Sequence, residues 1–401
     1  MSVVGRSGRI RGASASQHGS RSAAVNCTTP YRRTTCNDNK QGSALIDAIL
    51  LVGGKGTRLR PLTLTAPKPM LPTAGVPFLA HQIGRAREAG VDHVVLATSY
   101  RAETFEAYFG DGSAFGVELD YVTETEPLGT GGGIRNVAGW LRGKPADPVI
   151  VFNGDVLSGH DIGAQVALHE ANAAAVTLYL TEVADARAFG CVPIDENARV
   201  TAFLEKMAEP VTNLINAGCY VFRRDVIDTI AEGRPVSVER ETFPALLDAG
   251  ATVIGYVDSA YWLDLGTPAA FVKGSCDLVR GIAPSPAVPG PVGESLLLDG
   301  ATVAGSARVS GGSCIGARAS IAERAIVEAS VVFDDAIVEA GAHVRASVVG
   351  RGARIGANSV LDGVVIGDAA QIGERNELLA GARIWPGVVL PGVSIRFSSD
   401  E

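Results

Sequence analysis

A run of glycines followed by an arginine and a lysine is where this 401-residue chain could do chemistry. The run is Leu50 to Leu71, LLVGGKGTRLRPLTLTAPKPML, at the end of a short apolar segment. Gly53, Gly54 and Gly56 allow backbone N–H groups to approach phosphate oxygens with no side chain in the way. Arg58 adds a delocalised charge with several donors, and Lys68, between Pro67 and Pro69, places a second cation on a stiff backbone. A glycine-rich turn alone is most often only a turn; with both cations it reads as a polyphosphate grip. Two familiar loops are absent. The G-x-x-x-x-G-K-[ST] loop needs Lys directly after its last glycine, whereas Lys55 precedes Gly56, and Leu59 occupies the third glycine of G-x-G-x-x-G.

The elements that must position this loop follow from periodicity. From 44 to 282 strand-like and helix-like segments alternate. DAILLV (47–52) is a continuous apolar run of the kind buried on both faces of a parallel sheet. PFLAHQIGRAREAG (77–90) keeps Leu79, Ile83 and Ala86 on one face and stops at glycine. HVVLATS (93–99), VELDYV (117–122), PVIVFNGD (148–155), AAVTLYLTEV (174–183) and NAGCYVFR (216–223) continue the pattern, which predicts a layered α/β sheet. Ligands of such sheets bind beyond the carboxyl ends of the strands. Both VGGKGTR and NGD fall there.

A Pro/Gly-rich segment, 283–295, reads as a linker. Beyond it, over 296–392, apolar residues recur at Val303, Val309, Ile315, Ile321, Val327, Phe333, Val338, Val344, Val349, Ile355, Leu361, Ile366, Ile372, Leu378, Ile384 and Leu390. The step is six residues except for three steps of five. That period predicts a parallel β-helix of about five coils, each side contributing one inward apolar residue. Residues 393–401 form a short tail.

Composition excludes several classes. With 46% apolar and 19% charged residues and a net charge of −8, the chain is globular, and a general nucleic-acid binder is not expected. No apolar run approaches the roughly 20 residues of a membrane span. Cys27, Cys36, Cys191, Cys219, Cys276 and Cys314 lack metal or disulfide spacing and read as reduced thiols of a cytoplasmic protein. Residues 1–43 carry +6, which leaves −14 for the rest. They are basic, Ser-rich and aperiodic, as in a disordered extension, a transit peptide or sequence upstream of the true start. The histidines at 81, 93, 160 and 169 show no ligand spacing and no adjacent nucleophile. They read as structural or solvent-exposed.

The signature LVGGKGTRLRPLTLTAPKPMLP resembles that of the sugar nucleotidyltransferases, the nucleoside-diphosphate-sugar pyrophosphorylases. The resemblance continues through EPLGTGGGI (126–134), FNGDV (152–156), AFGCV (188–192), FLEK (203–206), INAGCYVF (215–222), VERETFP (238–244) and YWLDLGTP (261–268). It covers residues 44 to 392. It implies a Rossmann-like nucleotidyltransferase domain with a C-terminal left-handed parallel β-helix, and Mg²⁺-dependent attack of a sugar 1-phosphate on a nucleoside triphosphate. The blocks are most similar to the branch that uses GTP and mannose 1-phosphate. The solenoid reads as a structural element that mediates self-association, so a homo-oligomer is expected, with no nucleic-acid or membrane partner on the grounds of charge and apolar run length given above.

Carried over position by position, the resemblance gives Leu51, Gly53, Gly54, Gly56 and Thr57 to the nucleotide, Arg58 to the leaving pyrophosphate and Lys68 to the α-phosphate. Gly129, Thr130 and Gly131 would face the base. Gly190, Glu205 and Asn216 would contact the sugar, with Lys206 on its phosphate. Asp155 and Asp264 match the two metal aspartates. Their plainer readings are a strand-end turn and the cap of the helix before TPAAFV, and for Glu205 and Lys206 a solvated charge pair. EKMAEP in place of E-K-P, and N-G-D in place of N-S-D, depart from the pattern. Alternatives are another base or sugar (an ADP-, UDP- or dTDP-glucose enzyme), a non-catalytic subunit on the same scaffold, or an acyltransferase solenoid using His343. The retained Arg58, Lys68, Asp155 and Asp264 weigh against the second, and a single outward histidine weighs against the third.

Overall fold

The computed structural model describes residues 46–99 and 101–395. The 1–43 extension, with Cys27 and Cys36, and most of the 393–401 tail lie outside the described residues. A nine-stranded mixed sheet forms the first layer system. Its central strand, Asp47–Leu51, runs parallel to His93–Thr98 on one side and to Pro148–Asn153 on the other. Glu118–Thr123 pairs in parallel with His93–Thr98, and Leu214–Arg223 lies antiparallel to Pro148–Asn153. Val176–Glu182 and Val253–Val257 extend this second side. The apolar run 47–52 is continuous because its neighbours enter different cores. Ile49 joins the cluster with Tyr220 and Phe222, while Ala48 and Leu50 join that with Leu79 and Ile83 under helix Phe78–Glu88. Chain order reverses across the central strand, so a crevice opens beyond the carboxyl ends of Asp47–Leu51 and Pro148–Asn153.

The C-terminal part is a series of short parallel strands in three sheets of six, six and five strands, consistent with a left-handed parallel β-helix. The interior column on the first sheet is Ile315, Val332, Val349, Ile366 and Ile384. Here the periodic reading is corrected by one position. Val332, not Phe333, points inward, and Phe333 faces the ring of Phe271 at 6.5 Å, on helix Pro268–Val279. Two adjacent apolar residues permit either register in sequence, and the neighbouring helix selects one. The outward column of this sheet, Leu296, Cys314, Val331, Val348 and Val365, is buried in a cluster with Leu59, Leu62, Leu71 and Phe271. Solenoid, helix and glycine-rich loop thus share one apolar core.

The proline-rich segment is docked along the α/β layers. Ser285 Oγ lies 2.7 Å from His81 Nδ1, and Pro286 packs so closely on Gly84 that a Cβ there would sit 2.8 Å from Pro286 Cγ. His81, His93, His160 and His169 are all buried, so the solvent-exposed option for them falls. Burial holds His81, His160 and His169 down to about 4. Cys191, Cys219, Cys276 and Cys314 are free and buried. Among the described residues no helix is long and apolar enough to cross a membrane.

Candidate active site

The glycine-rich loop leaves the central strand at the crevice. Gly56 is left-handed (φ 57°), and a Cβ there would come within 3.0 Å of both Lys68 Cβ and Thr63 Cγ2. Only glycine meets both conditions. Thr63 Oγ1 closes the loop by donating to the Gly56 carbonyl at 2.9 Å. The short turn Thr57–Leu59 follows, anchored by buried Leu59, while Arg58 is carried on its exposed side. Gly54 opens on free space.

Asp155 is brought in by a close approach of two strand ends. Gly154 donates to the Leu51 carbonyl at 2.9 Å, and a Cβ at 154 would lie 2.3 Å from that oxygen. Glycine in N-G-D is therefore demanded by this backbone. Asp264 arrives on strand Trp262–Asp264, which pairs antiparallel with Val156–Ser158 so that Asp264 stands opposite Val156. Leu265 N donates to the Asp155 carbonyl at 3.0 Å. The helix after Asp264 is capped by Thr267, whose Oγ1 accepts from Ala270 N. The cap reading of Asp264 is thereby removed, and its carboxylate is left for other work.

Lys68 joins the two carboxylates. Its Nζ lies 3.0 Å from Asp155 Oδ2 and 3.9 Å from Asp264 Oδ1, and its side chain is only 11% exposed. Arg58 reaches the same corner over Gly266, where a Cβ would sit 2.6 Å from Arg58 Nη2 and 2.9 Å from Asp264 Oδ1. Burial first, and then the Asp155 carboxylate, push the Asp264 carboxyl above its ordinary range, while Lys68 and Arg58 pull the other way. Asp264 Oδ1 is buried without a hydrogen-bond partner. Among the described residues no group of three or more His, Cys, Asp or Glu is placed to hold a metal ion by itself. An orphaned acceptor beside a second carboxylate fits a hard divalent cation whose remaining ligands are substrate oxygens and water.

Next to this corner lies a cavity of about 600 Å³, lined by Arg58 and Asp264 together with Gly190, Glu205, Lys206 and Asn216. Glu205 pairs with Gly190 across a two-residue ladder, and a Cβ at 190 would meet Glu205 Oε2 at 2.8 Å. Lys206 is left-handed (φ 48°) and its Nζ stands 3.6 Å from Glu205 Oε1, with 61% of the side chain exposed. Asn216 sits at a register shift in strand Leu214–Arg223 and donates to the Tyr220 hydroxyl at 2.8 Å. Further residues line the cavity that sequence reasoning had not singled out, among them Trp262, Glu239, Arg240 and Phe189. Trp262 packs edge-on against Phe189 at 5.5 Å and donates Nε1 to the Ala217 carbonyl, which fixes an aromatic wall. The VERETFP block was the available signal for Glu239 and Arg240.

The 129–131 segment is more committed than the sequence suggests. Gly131 is closed in by Val236, and Thr130 Oγ1 donates to Glu239 Oε2 at 2.9 Å and accepts from Val238 N at 3.0 Å. Only Gly129 of the three is exposed. Glu124, also not singled out, lies between the two glycine segments. A Cβ at Gly133 would sit 2.8 Å from Glu124 Oε1, and one at Gly53 would sit 3.9 Å from Oε2. Leu128 N donates to Glu124, and burial raises its carboxyl above the ordinary value. Leu51 lies half-buried at the base of the same crevice.

A glycine-lined crevice at the reversal point of a Rossmann-like sheet, with a cation–carboxylate corner and a polar cavity beside it, defines a protein that handles phosphorylated substrates. Residues 47–281 match the nucleotidyl transferase family and residues 292–391 match the GMPPB C-terminal domain. The chain belongs to the nucleotidyl transferase family and is a nucleotidyltransferase. It is 59% identical to the mannose-1-phosphate guanylyltransferase of Mycobacterium tuberculosis, over 88% of this chain and 98% of that one. It is 37% identical to the mannose-1-phosphate guanylyltransferase catalytic subunit beta of Drosophila pseudoobscura pseudoobscura, over 65% of this chain and 71% of that one. Among solved structures, HddC from Yersinia pseudotuberculosis complexed with GMP-PN is similar, with a TM-score of 0.50 and 28% identity. The match covers 58% of this chain and 99% of that one.

Proposed function

We propose that the chain transfers GMP from GTP to α-D-mannose 1-phosphate, giving GDP-mannose and pyrophosphate. The observation that carries the reading is the corner at which Lys68 meets both Asp155 and Asp264, opening on the cavity that holds Gly190, Glu205, Lys206 and Asn216. The 59% identity to the mycobacterial enzyme supports the choice of substrates. An oxygen of the sugar 1-phosphate attacks the α-phosphorus of GTP, and the bond to the pyrophosphate oxygen breaks. Such transfers need positioning and charge neutralisation rather than covalent help.

Gly53, Gly54 and Gly56, with Leu51 and Thr57, line the nucleotide, and Gly129, Thr130 and Gly131 shape the wall toward the base. Arg58 stabilises the departing pyrophosphate, and Lys68 steadies the α-phosphate from its buried position. Gly190, Glu205 and Asn216 receive the sugar, while exposed Lys206 meets its phosphate. Asp155 and Asp264 would hold Mg²⁺, which when bound neutralises charge on the phosphate oxygens. Glu124 favours guanine: an acceptor-only carboxylate matches the adjacent N1–H and N2–H donors of that base, whereas adenine offers a donor beside an acceptor. The test is pyrophosphate release across a panel of triphosphates and sugar 1-phosphates. GTP with mannose 1-phosphate is expected to be the fastest pair; a different pair outrunning it would reject the assignment.

A further inference from the structure

The outward column of the first solenoid sheet is apolar through five coils, Leu296, Cys314, Val331, Val348 and Val365, and in the sixth it becomes Arg383. The five apolar members are buried against the catalytic layers. Arg383 is exposed, and its Nη1 donates to two backbone carbonyls of the catalytic loop, Arg58 O at 2.9 Å and Arg60 O at 2.9 Å. The turn's own backbone bonds close on the carbonyls of Gly56 and Thr57, and the next turn's on that of Pro61. The carbonyls of Arg58 and Arg60 take their donor from the solenoid instead.

We infer that Arg383 is a positioning residue: the last solenoid coil holds the turn that carries Arg58, and so sets where that guanidinium meets the pyrophosphate. Three features support this. The contact bridges more than 320 positions of chain, so it is not a by-product of local folding. It falls on the two residues flanking Leu59, the turn's buried anchor, and so restrains a segment otherwise exposed on its Arg58 side. And arginine interrupts the column at the level where the partner surface presents the carbonyls of Arg58 and Arg60 to it. An always-charged donor can serve two carbonyls at once. A hydrogen bond made largely in solvent adds little to global stability, whereas small displacements of a positioning group act strongly on rate. The inference rests on the role given to Arg58 above, but not on which base or sugar is used.

The test compares full-length wild type with Arg383→Ala, Arg383→Lys and, as a solenoid control, Arg318→Ala, which removes only an ion pair to Asp335. Three quantities are read: kcat in the forward direction, KM for pyrophosphate in the reverse direction, and hydrogen exchange of the peptide spanning 53–64. For Arg383→Ala we expect kcat to fall on the order of 10-fold, KM for pyrophosphate to rise, KM for the sugar phosphate to stay, and exchange at 53–64 to quicken. Arg383→Lys should recover part of each change, and Arg318→Ala should match wild type. An active wild type with Arg383→Ala unchanged in kcat and in exchange overturns the inference. Equal changes in Arg383→Ala and Arg318→Ala also overturn it, since that marks a general loss of solenoid structure. If the wild type turns over a different substrate pair, the substrate reading fails and the same comparison is made with that pair.

Discussion

The two ends of the cleft are built to opposite rules. At the phosphate end Lys68 is 11% exposed and bridges two carboxylates, on a loop pinned by Gly56, Thr63 and Leu59. At the sugar end Lys206 is 61% exposed, and its near neighbour is a single carboxylate 3.6 Å away. The first arrangement fixes charges before substrate arrives, as electrostatic stabilisation of a transition state requires. The second leaves room for a hydroxyl-rich ligand to enter and for product to leave. Substitutions at the two ends should therefore fail in different kinetic constants.

The largest effect is expected at Asp264. Asp264→Asn should lower kcat on the order of 1,000-fold, while its melting temperature equals or exceeds that of wild type, because the cost of burying a carboxylate, and then its repulsion with Asp155, is relieved. Thermal melts alongside turnover check both halves. A lower melting temperature together with retained turnover would erase the contrast between the ends. At the other end, Lys206→Ala should raise KM for mannose 1-phosphate on the order of 10-fold with kcat nearly intact, and Lys68→Ala should do the reverse. Initial-rate kinetics for both variants sharpen or break the comparison. A change of similar size is expected at the base. Glu124→Gln should reduce the preference for GTP over ATP on the order of 10-fold, read as the ratio of the two kcat/KM values.

The smallest effect concerns the opposite, amino ends of the strands. His93 Nδ1 lies 2.8 Å from Asp47 Oδ1 and Nε2 lies 2.9 Å from Asp120 Oδ2, a geometry in which a doubly protonated ring donates to both carboxylates. Burial alone would lower its pKa, and nearby Arg142, itself paired with Glu118, acts the same way. The hydrogen bonds to Asp47 and Asp120 outweigh both and raise it above the ordinary 6.5. A raised folded-state value means the stabilisation is complete below about 6.5 and is lost as pH climbs through the higher value. Melting of wild type and His93→Gln should differ most near the acid side of neutrality and converge in alkaline buffer, with turnover unaffected in rank order of substrates.

What was legible in the sequence follows the range of the interactions involved. The six-residue period is local, because each coil repeats the same burial, and it exposed the solenoid at once. It missed only Phe333, where Val332 and Phe333 offer two registers and a distant helix decides. The need for glycine at 56 could be read from the loop itself. The clash that excludes a side chain at 154 could not, since the offending atom is Leu51 O on another strand. Trp262 and Glu239 escaped for the same reason: each acquires its place through partners far along the chain. Taken alone, Asp264 reads as a helix cap, a position that Thr267 fills in the structure.

The central claim is that Asp155 and Asp264 act on one shared cation. A double-mutant cycle on kcat, using Asp155→Asn, Asp264→Asn and the pair together, tests it most directly. Groups that work as a unit lose their function once, so the double variant is expected to be about as slow as the slower single variant. Losses that multiply, each substitution costing its full factor in the presence of the other, would show two independent carboxylates and contradict the account.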